Sequence, residues 1–125
     1  MSTEKNKQLV TDYLENVWNQ GKVDEAGRYL ATGLVQHNPA LPDGIAPLAD
    51  FVSGLRTAVP GGRFAVRRIA ADGDLVFAHS HFTAGEGDPG TAVVDVFRIE
   101  DDLIAEHWDV SAGVPETTVS GHPVV

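Results

Sequence analysis

The stretch Asp95-Val-Phe-Arg-Ile-Glu-Asp-Asp-Leu-Ile-Ala-Glu-His107-Trp-Asp109 decides how this chain folds. It reads as two strands joined by a tight turn, because side chains alternate in character on either side of Glu100-Asp101-Asp102. Alternation puts Asp95, His107 and Asp109 on the face that also carries Val93, Phe97, Ile99, Leu103 and Ala105. Ionisable groups on an apolar sheet face are costly unless paired or hydrated, so the pattern points to a pocket rather than a plain core. A three-residue turn ending in a left-handed Asp pairs Asp95 with His107 and Val93 with Asp109. A two-residue turn pairs Asp95 with Trp108 and separates the ionisable groups. The three-residue turn is the expectation, since it makes Asp95 and His107 a compatible cross-strand pair.

Outward from this hairpin, period-2 patterning predicts strands over residues 63–71, 74–84, 91–99 and 103–112, joined closely enough for antiparallel meanders. In the second of these, Leu75, Phe77, His79, His81 and Thr83 share a side. With matching parity across Glu86–Gly90, His79 falls beside Asp95, giving a row His79–Asp95–His107 with His81 and Asp109 one step along. Before residue 63 the period is helical. Leu9, Val10, Tyr13, Leu14, Val17 and Trp18 mark one face of a helix over 4–20, with Thr3 as N-cap and Gly21 as stop. A short helix is expected over 23–31, then an extended piece from Leu34 to a turn held by Pro39 and Pro42, then a helix over 45–59. Helices first and strands after make the class α+β: a curved sheet with helices packed on one side.

The 125 residues suit one domain spanning 1–125 and are enough to bury a core. Cysteine is absent, which removes disulfides, thiolate metal sites and thiol nucleophiles and fits a cytoplasmic location. The net charge of −9 argues against nucleic acid, which rewards clustered Lys and Arg. No signal peptide and no membrane-spanning segment are read, so the expected partner is a small molecule.

Tyr29-Leu-Ala, Val35-Gln-His-Asn-Pro, Ala71-Asp-Gly-Asp-Leu-Val, Val94-Asp-Val-Phe-Arg and Ile104-Ala-Glu-His-Trp-Asp together resemble the SnoaL-like polyketide cyclase group of the nuclear transport factor 2-like superfamily. The resemblance runs over about residues 6–112. It implies a cone: a strongly bent antiparallel sheet wrapped around about three N-terminal helices, enclosing one apolar pocket. It also implies no cofactor and no metal, and a homodimer through an outer sheet face that here would carry Val94, Val96, Ile104 and Trp108. The group's cyclases carry out an intramolecular aldol condensation with an Asp as acid/base, and Asp109 matches that Asp. Where those cyclases have a second polar residue, His, this chain has Asp95, and Asp102 stands where Gly is usual.

The expected chemistry is acid/base work on a small apolar carbonyl compound: aldol condensation or cyclisation, isomerisation or dehydration. Asp109 is the general base, with desolvation raising its pKa toward neutrality. Asp95 orients His107 or His79, or is itself the acid; alternatively it anchors a structural ion pair. His107 and His79 donate to a developing enolate oxygen or shuttle protons, or are satisfied core histidines. His37 and His81 are placed at the substrate, and Trp18, Tyr13, Phe51, Leu55, Phe77 and Phe97 on the pocket wall. Two other readings stand beside this one. One is a non-catalytic module that binds a small molecule or mediates assembly. The other is a metal site at His79, Asp95 and His107, a two-His-one-carboxylate set.

Overall fold

The first helix ends in a wider turn than its sequence pattern predicts. The computed structural model describes residues 2–125, and in it α1, Thr3–Tyr13, runs directly into a π-helical turn, Leu14–Asn19. Ser2 rather than Thr3 is the N-cap, its Oγ accepting the Lys5 N–H at 3.1 Å. In the π turn the Gln20 N–H reaches back five residues to the Glu15 carbonyl at 2.9 Å. Residues five apart thereby come to one side, and Trp18 Nε1–H donates to the Tyr13 hydroxyl at 2.8 Å.

A 3-10 turn, Val23–Arg28, is shorter than the helix expected over 23–31. Leu30 already pairs with Ile104, so β1 is Leu30–Gln36. The rest follows the sequence reading closely: α2 Ile45–Ala58, β2 Arg63–Asp72, β3 Leu75–Thr83, β4 Thr91–Glu100 and β5 Leu103–Gly113. The curved sheet has the order β1-β5-β4-β3-β2. Consecutive strands β2 to β5 are antiparallel, while β1 joins the β5 edge in parallel, which makes the sheet mixed. A parallel neighbour needs a long crossover, and the chain from α2 through β4 supplies it.

Val10, Tyr13, Leu14 and Val17 of the first helix pack with Leu48 and Val52 of α2 against Val76, Ala78, Phe97, Ile99 and Ile104 of the sheet. A fully buried aliphatic side chain contributes roughly 1.5–3 kcal/mol. That burial outweighs leaving Asn6 Oδ1 and Ser80 Oγ without partners among the described residues, at about 1–3 kcal/mol each.

Two registers differ from expectation. The β4–β5 turn has two residues: Glu100 pairs with Leu103, and Asp101 and Asp102 both take positive φ, 52° and 64°. That is a type I′ hairpin. Taken alone, it would set Asp95 against Trp108. A bulge restores the parity: Ile99 pairs with Ile104 but Arg98 with Glu106, leaving Ala105 as the extra residue. Phe97 then faces His107, and Asp95 faces Asp109. The bulge also turns Ile104 fully into the core, away from the outer face where alternation had placed it.

The β3–β4 register moves the other way. Ala78, not His79, pairs with Asp95, so Val76, Ala78 and Ser80 face inward and Phe77, His79 and His81 face outward. Gly90 helps hold this register. At φ +76° it lies so close to β3 that a Cβ would sit 2.2 Å from the Phe82 carbonyl oxygen.

Candidate functional site

β4, β5 and the segment just after β1 deliver four polar side chains to one end of an apolar cavity of about 230 Å³. Trp18, Phe51, Leu55, Phe64, Phe82 and Leu41 form its aromatic and aliphatic wall. Tyr13 and Phe97 lie between that wall and the polar end, which is made by Asp95, His107, Asp109 and Asn38. No Lys or Arg lines the cavity among the described residues.

His107 Nε2 lies 2.8 Å from Asp95 Oδ1 and 3.9 Å from Asp109 Oδ2. His107 and Asp95 are diagonal neighbours across the bulged hairpin, and the imidazole stacks on Phe97 with ring centroids 5.0 Å apart. On its other edge, His107 Nδ1 lies 2.7 Å from Gln36 Oε1. Asp109 Oδ2 accepts Asn38 Nδ2–H at 2.8 Å. Asp95 and His107 are 6% and 8% exposed as residues, and Asp109 is the more open of the two carboxylates.

The carboxyl that burial pushes up is Asp95. Desolvation is the largest cause and the Asp109 charge adds to it, while the hydrogen bond and charge of His107 oppose it. Asp95 lies deep in the fold, so desolvation acts on it. Burial also holds the Tyr13 hydroxyl far above the usual phenol range, against the Trp18 hydrogen bond and with help from the Asp95 charge. Tyr13 accepts from Trp18 and stays protonated, so its own hydrogen is free to donate.

The expected residues thus divide. Asp95, His107 and Asp109 come together, and Tyr13, Trp18, Phe51, Leu55 and Phe97 line the cavity. His79 does not join them: it is on the opposite face of the sheet, hydrogen-bonded to Arg68, because β3 is offset by one residue. The same offset exposes Phe77 and turns His81 outward, where its Nε2–H donates to the Pro89 carbonyl at 2.7 Å. His37 is also away from the pocket. It stacks on Trp108 at 4.8 Å and bonds Glu106 at 2.7 Å, beside the Arg98–Glu106 pair on the outer face. The set His79, Asp95 and His107 therefore cannot share a metal. Asp95, His107 and Asp109 do offer ligand atoms within 4.8 Å of one another. An ion there would have to displace the Asp95–His107 and Asn38–Asp109 hydrogen bonds.

Gln36, Asn38, Leu41, Phe64 and Phe82 were missed. For the first two a signal was present: in an extended Gln36-His37-Asn38, the residues flanking His37 point away from it, to the other face.

The family model described as SnoaL-like domain matches residues 10–107. The chain belongs to the SnoaL-like family. No curated protein matches it. Among solved structures, a protein from Acidithiobacillus ferrooxidans provisionally named a polyketide cyclase is 25% identical, covering 89% of this chain and 91% of its own, at a TM-score of 0.73. TsrD from Streptomyces laurentii is 23% identical over 89% and 90%, at a TM-score of 0.74. A Kribbella flavida protein provisionally named a ketosteroid isomerase is 22% identical over 93% and 84%, at 0.73. These last two likenesses concern the fold. Among the described residues of this SnoaL-like chain, no helix is long and apolar enough to cross a membrane.

Proposed function

We propose that this SnoaL-like chain is a cofactor-free acid/base enzyme acting on a small, mostly apolar carbonyl compound. The observation that carries the reading is an apolar, aromatic-walled cavity whose one polar end holds a buried Asp95–His107 pair beside a separate, more open carboxylate, Asp109. Asp109 is the base. It takes a proton from the carbon next to the carbonyl, and the electron pair of that C–H bond passes into an enolate. Tyr13 O–H, which burial keeps protonated, donates to the enolate oxygen. Return of the proton at another carbon gives an isomer. Attack of the enolate carbon on a second carbonyl of the same molecule gives an aldol, with the Asp95–His107 pair protonating the new alkoxide. Loss of water from that aldol is the dehydration.

Deuterium exchange tests this without the natural substrate. A panel of cyclic ketones and diketones is incubated with the protein in deuterium oxide, and uptake at the carbon beside the carbonyl is followed by mass spectrometry. Catalysed exchange is expected, falling at least about a hundredfold in Asp109→Asn. Exchange undiminished in Asp109→Asn would overturn the role of Asp109. Ligands that bind but never exchange would favour a binding module instead.

A further inference from the structure

Every hydrogen bond around His107 has a direction, and β1 sets it. Gln36 stands in register with His107 across the parallel β1–β5 pair, and the His37 N–H donates to the His107 carbonyl at 2.9 Å just beyond it. Gln36 Oε1 accepts the backbone N–H of Asn38 at 3.1 Å. A backbone N–H can only donate, so the amide oxygen faces it and not the NH2 group. That same oxygen lies 2.7 Å from His107 Nδ1, and an acceptor there requires a hydrogen on Nδ1. Reversing the amide would set its NH2 against the Asn38 N–H, donor against donor. In the observed orientation Gln36 Nε2 is buried without a partner among the described residues, while one oxygen serves two N–H groups.

Asn38 is polarised in the same way. Its Oδ1 accepts the Ala40 N–H at 2.8 Å, which leaves Nδ2 as the group facing Asp109 Oδ2 at 2.8 Å. Asp109 Oδ2 therefore accepts the Asn38 amide, while Oδ1 has no hydrogen-bond partner among the described residues and is the freer oxygen for a proton.

We propose that Gln36 and Asn38 are positioning residues that assign the protons of the pocket. Gln36 holds His107 with its hydrogen on Nδ1, so Asp95 Oδ1 and His107 Nε2 share one proton. Asn38 takes up Asp109 Oδ2 and leaves Oδ1 to receive the substrate proton. Base and acid are thereby kept apart: one carboxylate open to a proton, one pair holding a proton to give. The tautomer stands on hydrogen-bond polarity alone, and its use in turnover rests on the acid/base reading above.

The test reads the tautomer, not turnover, so its failure and the failure of the enzymatic reading are separate results. Full-length Asp95→Asn is labelled at the histidine nitrogens. An Asn at this position can serve either His107 tautomer by turning its amide, so Gln36 alone makes the choice. The His107 signals are identified by their loss in a further His107→Gln variant, and nitrogen NMR is recorded from about pH 6 to 9. The neutral ring is expected as Nδ1–H, favoured about tenfold over Nε2–H. Adding Gln36→Glu, which still offers an acceptor, keeps that preference; adding Gln36→Leu abolishes it. A neutral ring carrying its hydrogen on Nε2, or a preference unchanged by Gln36→Leu, overturns the proposal. Should the Leu variant not fold, the spectra of Asp95→Asn alone and with Gln36→Glu still decide it.

Discussion

Asp95 shows how much one buried carboxyl depends on its neighbours. It is 6% exposed, opposite a small residue, Ala78, on one side and Asp109 on the other, with His107 as its only hydrogen-bond partner among the described residues. Desolvation raises its folded-state pKa above its unfolded value. The folded chain therefore retains a proton that the unfolded chain releases. The stability tied to that proton is fully present below the unfolded carboxyl range and is lost as pH rises through the folded pKa. Asp95→Asn removes the loss. The melting temperature of the variant minus that of wild type is expected to climb as pH rises above about 4, and a flat or falling difference would contradict the raised pKa. The sequence marked Asp95 as misplaced for a strand. For Gln36 and Asn38 it offered only their alternation with His37, which names no face until the partner across the sheet is known.

Between elements, the β4–β5 hairpin carries the site by combining a turn and a bulge. Asp101 and Asp102 both lie in the left-handed region, which Asp tolerates at a greater cost than Gly. Replacing the pair by Asn-Gly is expected to stabilise the chain by about 1 kcal/mol in chemical denaturation, with no change at the pocket. A loss of stability would mean that the two Asp side chains hold the turn in some other way. The period-2 pattern read all four antiparallel strands, and the face shared by Asp95, His107 and Asp109, correctly. The route to that face differed: a two-residue turn plus the Ala105 bulge replaces the three-residue turn. The turn and the bulge each shift the register by one residue, and a total of two keeps every side chain on its face while moving the partner of Asp95 from His107 to Asp109. The uncompensated shift in β3 is what carried His79, His81 and Phe77 out of the pocket.

Across the whole molecule, charge and cavity shape act together. The chain carries a net charge of −9, two carboxylates face the cavity, and no cation lines it among the described residues. An anionic ligand would meet like charge in a medium where screening is weak. A naphthol is expected to bind at least about tenfold more tightly than the matching naphthoate, as read by quenching of Trp18 fluorescence or by calorimetry. Equal affinities would show that the pocket does not select on charge.

By itself the sequence determined the α+β class, the helical face built on Val10, Tyr13, Leu14 and Val17, the four antiparallel strands and the family. Those features are written in local periodicity, turn residues and short motifs, which neighbouring positions encode directly. Only the tertiary structure decided that β1 closes the sheet in parallel, that His79 stands outside, and that Gln36 and Asn38 reach the Asp95–His107–Asp109 cluster. The physical reason is register. Side-chain direction along a strand repeats every two residues, so the choice of face depends on one-residue offsets fixed by a bulge at Ala105, a close approach at Gly90 and a pairing between residues some seventy positions apart.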